Sequence, residues 1–182
     1  MRLFGLYKED LVTLASCVIV CGLVGVAGSL FTLSEIPSWY ATLVKPPFTP
    51  PNWVFGPVWA TLYVLMGFSL FILWHCKKTL HLNEGSVKHK SWHVERKGIE
   101  PVNFALAFFG VQLLFNALWP ILFFGLHAPL LAFFEIIFLW VSIASCIMLF
   151  WKFSKTASLL FVPYLAWVTL AAALNYYIWI LN

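Results

Sequence analysis

Charge is scarce in this sequence. Only 10% of its 182 residues are Asp, Glu, Lys or Arg, and 62% are hydrophobic, whereas an ordinary soluble domain carries about 25% charged residues. Leu11 to Ser34, Pro46 to Cys76, Pro101 to Phe134, Ile136 to Trp151 and Thr156 to Asn182 carry no charge at all. A soluble domain has no interior large enough for so much apolar surface, so that class is excluded. A bilayer core requires about 20 apolar residues per helix, and the Pro and charge punctuation predicts five spans near 11–33, 53–75, 101–123, 129–151 and 157–180. No ten-residue alternating pattern is present, and backbone N–H groups in lipid must be satisfied within the segment, so the spans are read as helices. The expected fold is an all-α integral membrane protein, one five-helix domain covering residues 1–182.

Other absences narrow the function. The first apolar run is longer than a secretory h-region of about 7–15 residues and lacks an A-x-A end, so it is read as a retained helix. Cys17, Cys21, Cys76 and Cys146 show no extracellular disulfide spacing and read as small packing residues. There is no nucleophile elbow, phosphate loop or paired-carboxylate motif. Neither a cofactor nor a nucleic-acid partner is expected. His81, His89 and His93 lie with Cys76 in a stretch full of Lys and Glu, and are not read as a zinc site.

What is present is strongly sided. Arg2, Lys8, Lys77, Lys78, Lys88, Lys90, Arg96, Lys97, Lys152 and Lys155 fall on one side of the five-span topology, and only Lys45 falls on the other. The positive-inside rule turns the basic side to the cytoplasm in a bacterial inner membrane, and does so less strictly in an organelle. The opposite side gathers the unusual residues: Trp53, Trp59, Asn116, Trp119, Pro120, His127, Glu135, Asn175 and Trp179. An interfacial aromatic belt accounts for Trp39, Trp74, Trp151 and Trp179. It does not account for amides inside spans. Gln112 and Asn116, spaced i and i+4, and Asn175 are expected to face the bundle, for helix-to-helix hydrogen bonds, ligand contact or both. Glu135, the one acid inside a span, is expected to be neutral, paired or beside water, and His127 interfacial. Cys17, Cys21, Gly25 and Ser29 recur every four residues and predict a smooth face against another helix, within the chain or across a homodimer.

Residues 39–59, WYATLVKPPFTPPNWVFGPVW, hold five prolines. Pro46, Pro47, Pro50 and Pro51 restrict φ and push the preceding residues out of the helical region, so the segment is a stiff strap. Trp and Phe offer large flat faces with few rotamers to freeze, which suits a flat apolar ligand such as a porphyrin or fused-ring drug. The strap is therefore expected to be the lid and a wall of a pocket.

The blocks WYATLVKPPFTPPNWVFGPVWATLY, QLLFNALWPILFFG and PYLAWVTLAAALNYYIWILN resemble the signature segments of the translocator protein family, also called TspO/MBR or tryptophan-rich sensory proteins and once the peripheral benzodiazepine receptor. The resemblance covers all five spans. It implies a five-helix bundle, commonly dimeric, in a bacterial membrane or the mitochondrial outer membrane, that binds protoporphyrin or haem-type tetrapyrroles and benzodiazepine-like drugs, and cholesterol in animals. Carried over by residue, it implies a pocket walled by Trp39, Trp53, Asn116, Trp119, Trp167 and Ala171, with Ala171 small enough to admit ligand bulk and the segment Lys45 to Pro51, including Pro46, as cover.

Three functions follow from the resemblance: a tetrapyrrole receptor or transporter, a light- and oxygen-dependent porphyrin-degrading enzyme using Trp53 and Trp167, and a sterol translocator. With no conventional acid, base or cofactor motif, binding is the primary reading. The chain departs from the family pattern in Phe48, where the strap usually has Trp, and in the long basic insertion 76–100. It ends NYYIWILN, so the proposed sterol motif lacks its cation after Tyr176 or Tyr177. The reversed motif can be matched by Lys155, Phe161 and Leu165, so sterol binding is weakened and not excluded.

Overall fold

The computed structural model describes residues 8–86 and 92–182, with side chains at 9–80 and 101–182. Helix α1 (Lys8–Glu35) is followed by the short α2 (Trp39–Thr42), α3 (Asn52–Ser86), α4 (Trp92–Pro120) and a π-helical turn, Ile121–Gly125. Then come α5 (Pro129–Trp151), the short α6 (Lys155–Leu159) and α7 (Val162–Leu181). Five segments are long and apolar enough to cross a bilayer: Glu9–Glu35, Asn52–Leu80, Pro101–Gly125, Pro129–Trp151 and Lys155–Leu181. The chain is an all-α, multi-pass membrane protein with a bundle of five transmembrane helices.

Two boundaries differ from the sequence reading. The basic stretch read as a loop from residue 76 to 100 is in large part helix, because α3 runs on to Ser86 and α4 begins at Trp92. Charge ends a membrane span but not a helix, and Lys, Leu and Glu are good helix formers in water. At 35 residues, α3 is about 50 Å long at 1.5 Å per residue, against roughly 30 Å of hydrocarbon. The side chains of His81, His89 and His93 lie outside the described residues. The fifth span is two helices rather than one. Ser154 caps α6, its hydroxyl accepting from Ala157 N at 3.3 Å. Pro163, which has no N–H to bond back, lies in the first turn of α7.

Small residues set the closest approach. The Cys17–Cys21–Gly25 face of α1 packs inside the chain: a Cβ on Gly25 would overlap the Tyr63 ring of α3, and one on Gly67 would lie 2.6 Å from Val18 Cα. Farther along, α1 leaves α3 and leans on the end of α4, where a Cβ on Gly28 would sit 3.0 Å from Pro120 Cγ and one on Gly125 would sit 3.1 Å from the Phe31 ring. Inside the bundle, Leu62, Met66, Phe109, Leu139, Ile143, Phe150, Phe161 and Tyr164 form one apolar core. Leu23, Leu30, Phe104, Leu114, Phe138 and Met148 point outward and are exposed, as side chains against lipid tails should be.

Polar side chains stitch the helices. Ser69 Oγ donates to Ala157 O at 2.8 Å, Ser158 Oγ to Ile147 O at 2.7 Å, and Trp140 Nε1 to Thr169 Oγ1 at 2.8 Å. On the basic side, Lys78 Nζ lies 3.9 Å from Glu9 and 3.8 Å from Asp10, tying the end of α3 to the start of α1.

Candidate functional site

Near the Lys45 side, α1, α3, α4, α5 and α7 enclose a cavity of about 650 Å³, within the range of roughly 300–1,000 Å³ usual for small-molecule sites. None of its lining side chains is charged. Aromatic faces dominate. Trp119 stacks on Phe123 at 4.9 Å and 17°, Trp59 stacks on Tyr63 at 5.7 Å, and Trp167 meets the edge of Phe55 at 5.6 Å. The π-helical turn explains part of this density. Pro120 cannot donate to the carbonyl four residues back, and the widened turn that follows buries the consecutive Phe123 and Phe124, both in the cavity wall.

Two hydrogen-bonded chains hold the polar edge of the wall. Tyr63 OH donates to Asn116 Oδ1 at 2.7 Å, and Asn116 Nδ2 donates to Tyr164 OH at 2.7 Å, so one amide joins α3, α4 and α7. Trp119 Nε1 donates to Asn175 Oδ1 at 3.0 Å, and Asn175 Nδ2 donates to Pro129 O at 2.7 Å, which fixes the indole plane against α7 and the start of α5. Each amide thus serves helix packing and forms part of the cavity wall.

The cavity brings together Trp53, Asn116, Trp119, Trp167 and Ala171. It does not include Trp39, Lys45, Pro46 or Pro51. Trp39 stacks on the His127 ring at 4.3 Å and 17° and meets the edge of Phe123 at 5.5 Å, so it backs the wall and is neither pocket lining nor an exposed belt residue. Lys45 Nζ donates to Leu43 O at 3.1 Å and lies 4.6 Å from the centre of the Tyr40 ring. Burial pushes the Tyr40 phenol up. Pro46 is buried and Pro51 exposed. The strap is carried away from the cavity because it docks on the end of α7. Val44 N donates to Asn182 Oδ1 at 2.9 Å, Asn182 Nδ2 donates to Val44 O at 3.1 Å, and Phe48 packs edge-on against Tyr177 at 5.4 Å. Of residues 39–59, the cavity takes Tyr40, Asn52, Trp53, Phe55, Gly56 and Trp59.

Glu135 is buried in α5, and neither carboxyl oxygen has a hydrogen-bond partner among the described residues. The same holds for the Gln112 amide and Trp167 Nε1. Glu135 lies behind the wall, while its helix neighbours Ile136 and Leu139 line it. His127 has φ 49°, rare outside glycine. Its Nε2 lies 2.9 Å from Glu35 Oε2, clamping the turn before α5 to the end of α1.

Tyr63, Phe123, Phe124 and the small residues Gly22, Gly56 and Ala60 also line the site; all but Gly22 fall within the quoted signature blocks but were not singled out there. The spacing Gly56–Ala60–Val64, one small or slim side chain per turn of α3, is the signal that points to an open helix face.

The TspO/MBR family profile matches residues 17–180. The chain is 38% identical to the Tryptophan-rich protein TspO of Chlorobaculum tepidum over 96% of its length and 99% of that protein. It is 39% identical to the Tryptophan-rich protein TspO of Archaeoglobus fulgidus, over 95% of this chain and 99% of that one. With the human Translocator protein the identity is 34%, over 84% of this chain and 79% of the human one. On this similarity, and on the five-helix bundle that carries the matched residues, the chain belongs to the TspO/MBR family.

Proposed function

We propose that this protein binds tetrapyrroles of the protoporphyrin or haem type, and benzodiazepine-like apolar ligands, in the cavity of its helix bundle, as a membrane receptor or transporter. The observation that carries the reading is an uncharged cavity of about 650 Å³ flanked by the indoles of Trp53, Trp119 and Trp167, with Asn116 as a polar edge. Flat apolar rings gain both area burial and stacking against such faces. Ala171 is the test position, because it lines the cavity from α7 with only a methyl group. Ala171→Phe is expected to abolish saturable protoporphyrin binding, read as a shift of the porphyrin absorption band in lipid nanodiscs, while the protein stays folded. Unchanged binding by that variant would place the ligand elsewhere.

A second reading, light-dependent breakdown of the porphyrin, is favoured by the presence of Trp53 and Trp167 on the same cavity, since indoles are oxidisable and phenyl rings are not. Trp53→Phe then retains porphyrin but loses its conversion under illumination. The proposal places the basic side toward the cytoplasm, in a bacterial membrane or in the mitochondrial outer membrane of a eukaryotic host. Any homodimer uses outward faces other than the Cys17–Gly25 stripe, which α3 covers.

A further inference from the structure

Several of the cavity's lining residues are themselves exposed on the side of the bundle. α1 and α3 touch at Val18–Gly67 and Gly25–Tyr63. Beyond Gly25, the close approaches of α1 are to Pro120 at Gly28 and to Gly125 at Phe31, while a Cβ on Gly56 in the first turns of α3 would meet no atom within 4 Å. The gap is rimmed by Val26 and Leu33 on α1, 61% and 69% exposed, and by Trp53 and Val64 on α3, 75% and 41% exposed, all four of which also line the cavity. At Gly22 and Gly56, both in the lining, a Cβ would meet no atom within 4 Å. These rim residues lie within the apolar spans Glu9–Glu35 and Asn52–Leu80, and are continuous with the outward surface that lipid covers. From Val26 to Leu33 the gap runs about 10 Å at 1.5 Å per residue, within one leaflet of a hydrocarbon core of roughly 30 Å. The medium at that depth is hydrocarbon.

We propose that the cavity opens between α1 and α3 into the leaflet opposite the basic side, and that a phospholipid acyl chain from that leaflet enters and occupies it. This inference uses the same cavity as the tetrapyrrole reading but does not depend on it. An acyl chain meets an apolar wall with no charge to desolvate, and a flat ligand dissolved in the membrane takes the same route and displaces the chain.

The test uses the protein in nanodiscs made with a phosphatidylcholine that carries a photoactivatable diazirine on its acyl chain, with labelled residues mapped by mass spectrometry. Ile136 and Leu139, on the far wall and only 2% and 1% exposed, should be labelled in wild type. A Cβ at Gly56 or Gly22 meets no atom within 4 Å and both positions line the cavity, so Gly56→Phe and Gly22→Phe should each lose the inner label while labelling of outward Leu23 and Leu30 persists. Gly110→Phe, also in open space but on α4 and outside the cavity, should retain it. Label confined to outward residues in wild type overturns the proposal, as does inner label that survives both plugging substitutions. A protoporphyrin titration run in parallel separates the readings: inner labelling without saturable porphyrin binding leaves the lipid site standing and removes the tetrapyrrole one, and the converse removes only the lipid site.

Discussion

Gly25 is where a single methyl group should report on the whole architecture. Replacing a mid-helix glycine by alanine ordinarily favours the helix by about 0.5–1 kcal/mol. At Gly25 the new Cβ falls on the Tyr63 ring, 2.7 Å from Cδ2 and 2.9 Å from Cζ. A flexible side chain could swing aside, but the Tyr63 hydroxyl is tied to Asn116, which is tied in turn to Tyr164. Yielding therefore costs overpacking of roughly 1–3 kcal/mol or a hydrogen bond of about 1 kcal/mol, which cancels or outweighs the gain in helix propensity. The net for Gly25→Ala is a destabilisation of up to about 2 kcal/mol, or a fall of up to roughly 8 °C in melting temperature for a chain of this size. Gly67→Ala should be worse, since its Cβ meets the backbone of Val18 at Cα and N and no rotamer relieves that contact. Gly22→Ala and Gly56→Ala meet nothing and should melt at or slightly above wild type. A thiol-reactive dye provides the assay: Cys17, Cys21 and Cys146 are buried and free, so they react only as the bundle opens. If Gly25→Ala and Gly67→Ala melt like the two controls, the close crossing of α1 and α3 is wrong.

The polar interior makes further predictions. Glu135 has no hydrogen-bond partner to lose among the described residues, so Glu135→Gln should melt within a few degrees of wild type by the same dye assay, whereas Glu135→Lys places a cation among apolar side chains and should cost about 3 kcal/mol or more. Asn175→Leu strands Trp119 Nε1 and removes the side-chain bond to the Pro129 carbonyl. It should destabilise by about 1–3 kcal/mol and, by loosening the Trp119 indole, weaken porphyrin binding in a titration. His127→Ala keeps the strained backbone while removing the Glu35 contact and the Trp39 stack, and is expected to lower the melting temperature more than His127→Gly, which relieves the strain.

Much of this was legible in the primary structure, for a physical reason. Charges such as Lys8, Lys77, Lys152 and Lys155 bracket the spans because burying them in hydrocarbon is costly, so the five membrane crossings fall within a few residues of where charge and proline place them. The same charges are silent about helix ends in water, which is why α3 and α4 outrun the expected loop. Trp53, Asn116, Trp119, Trp167 and Ala171, which the family resemblance implied as pocket wall, line one cavity; residue type alone pointed inward only for the amides, since span aromatics such as Phe104 and Phe138 face outward. The strap misled in a specific way. Prolines make a segment stiff but do not say where it docks, and the docking of Val44 on Asn182 takes Lys45, Pro46 and Pro51 away from the cavity. The sideways gap was invisible for a related reason, since it depends on α1 leaving α3 for Pro120 and Gly125, a matter of crossing geometry that no local pattern encodes.

The central claim is that the indole-walled cavity is a tetrapyrrole site, and titrating protoporphyrin into the nanodisc-embedded protein while following tryptophan fluorescence tests it most directly. Wild type should show saturable quenching. Trp167→Ala, losing a wall worth about 1 kcal/mol in stacking as well as its buried area, should bind roughly tenfold more weakly, tenfold being 1.4 kcal/mol, whereas Trp167→Phe should retain much of the affinity. An absence of saturable quenching in wild type, or equal affinity in Trp167→Ala, would contradict the account.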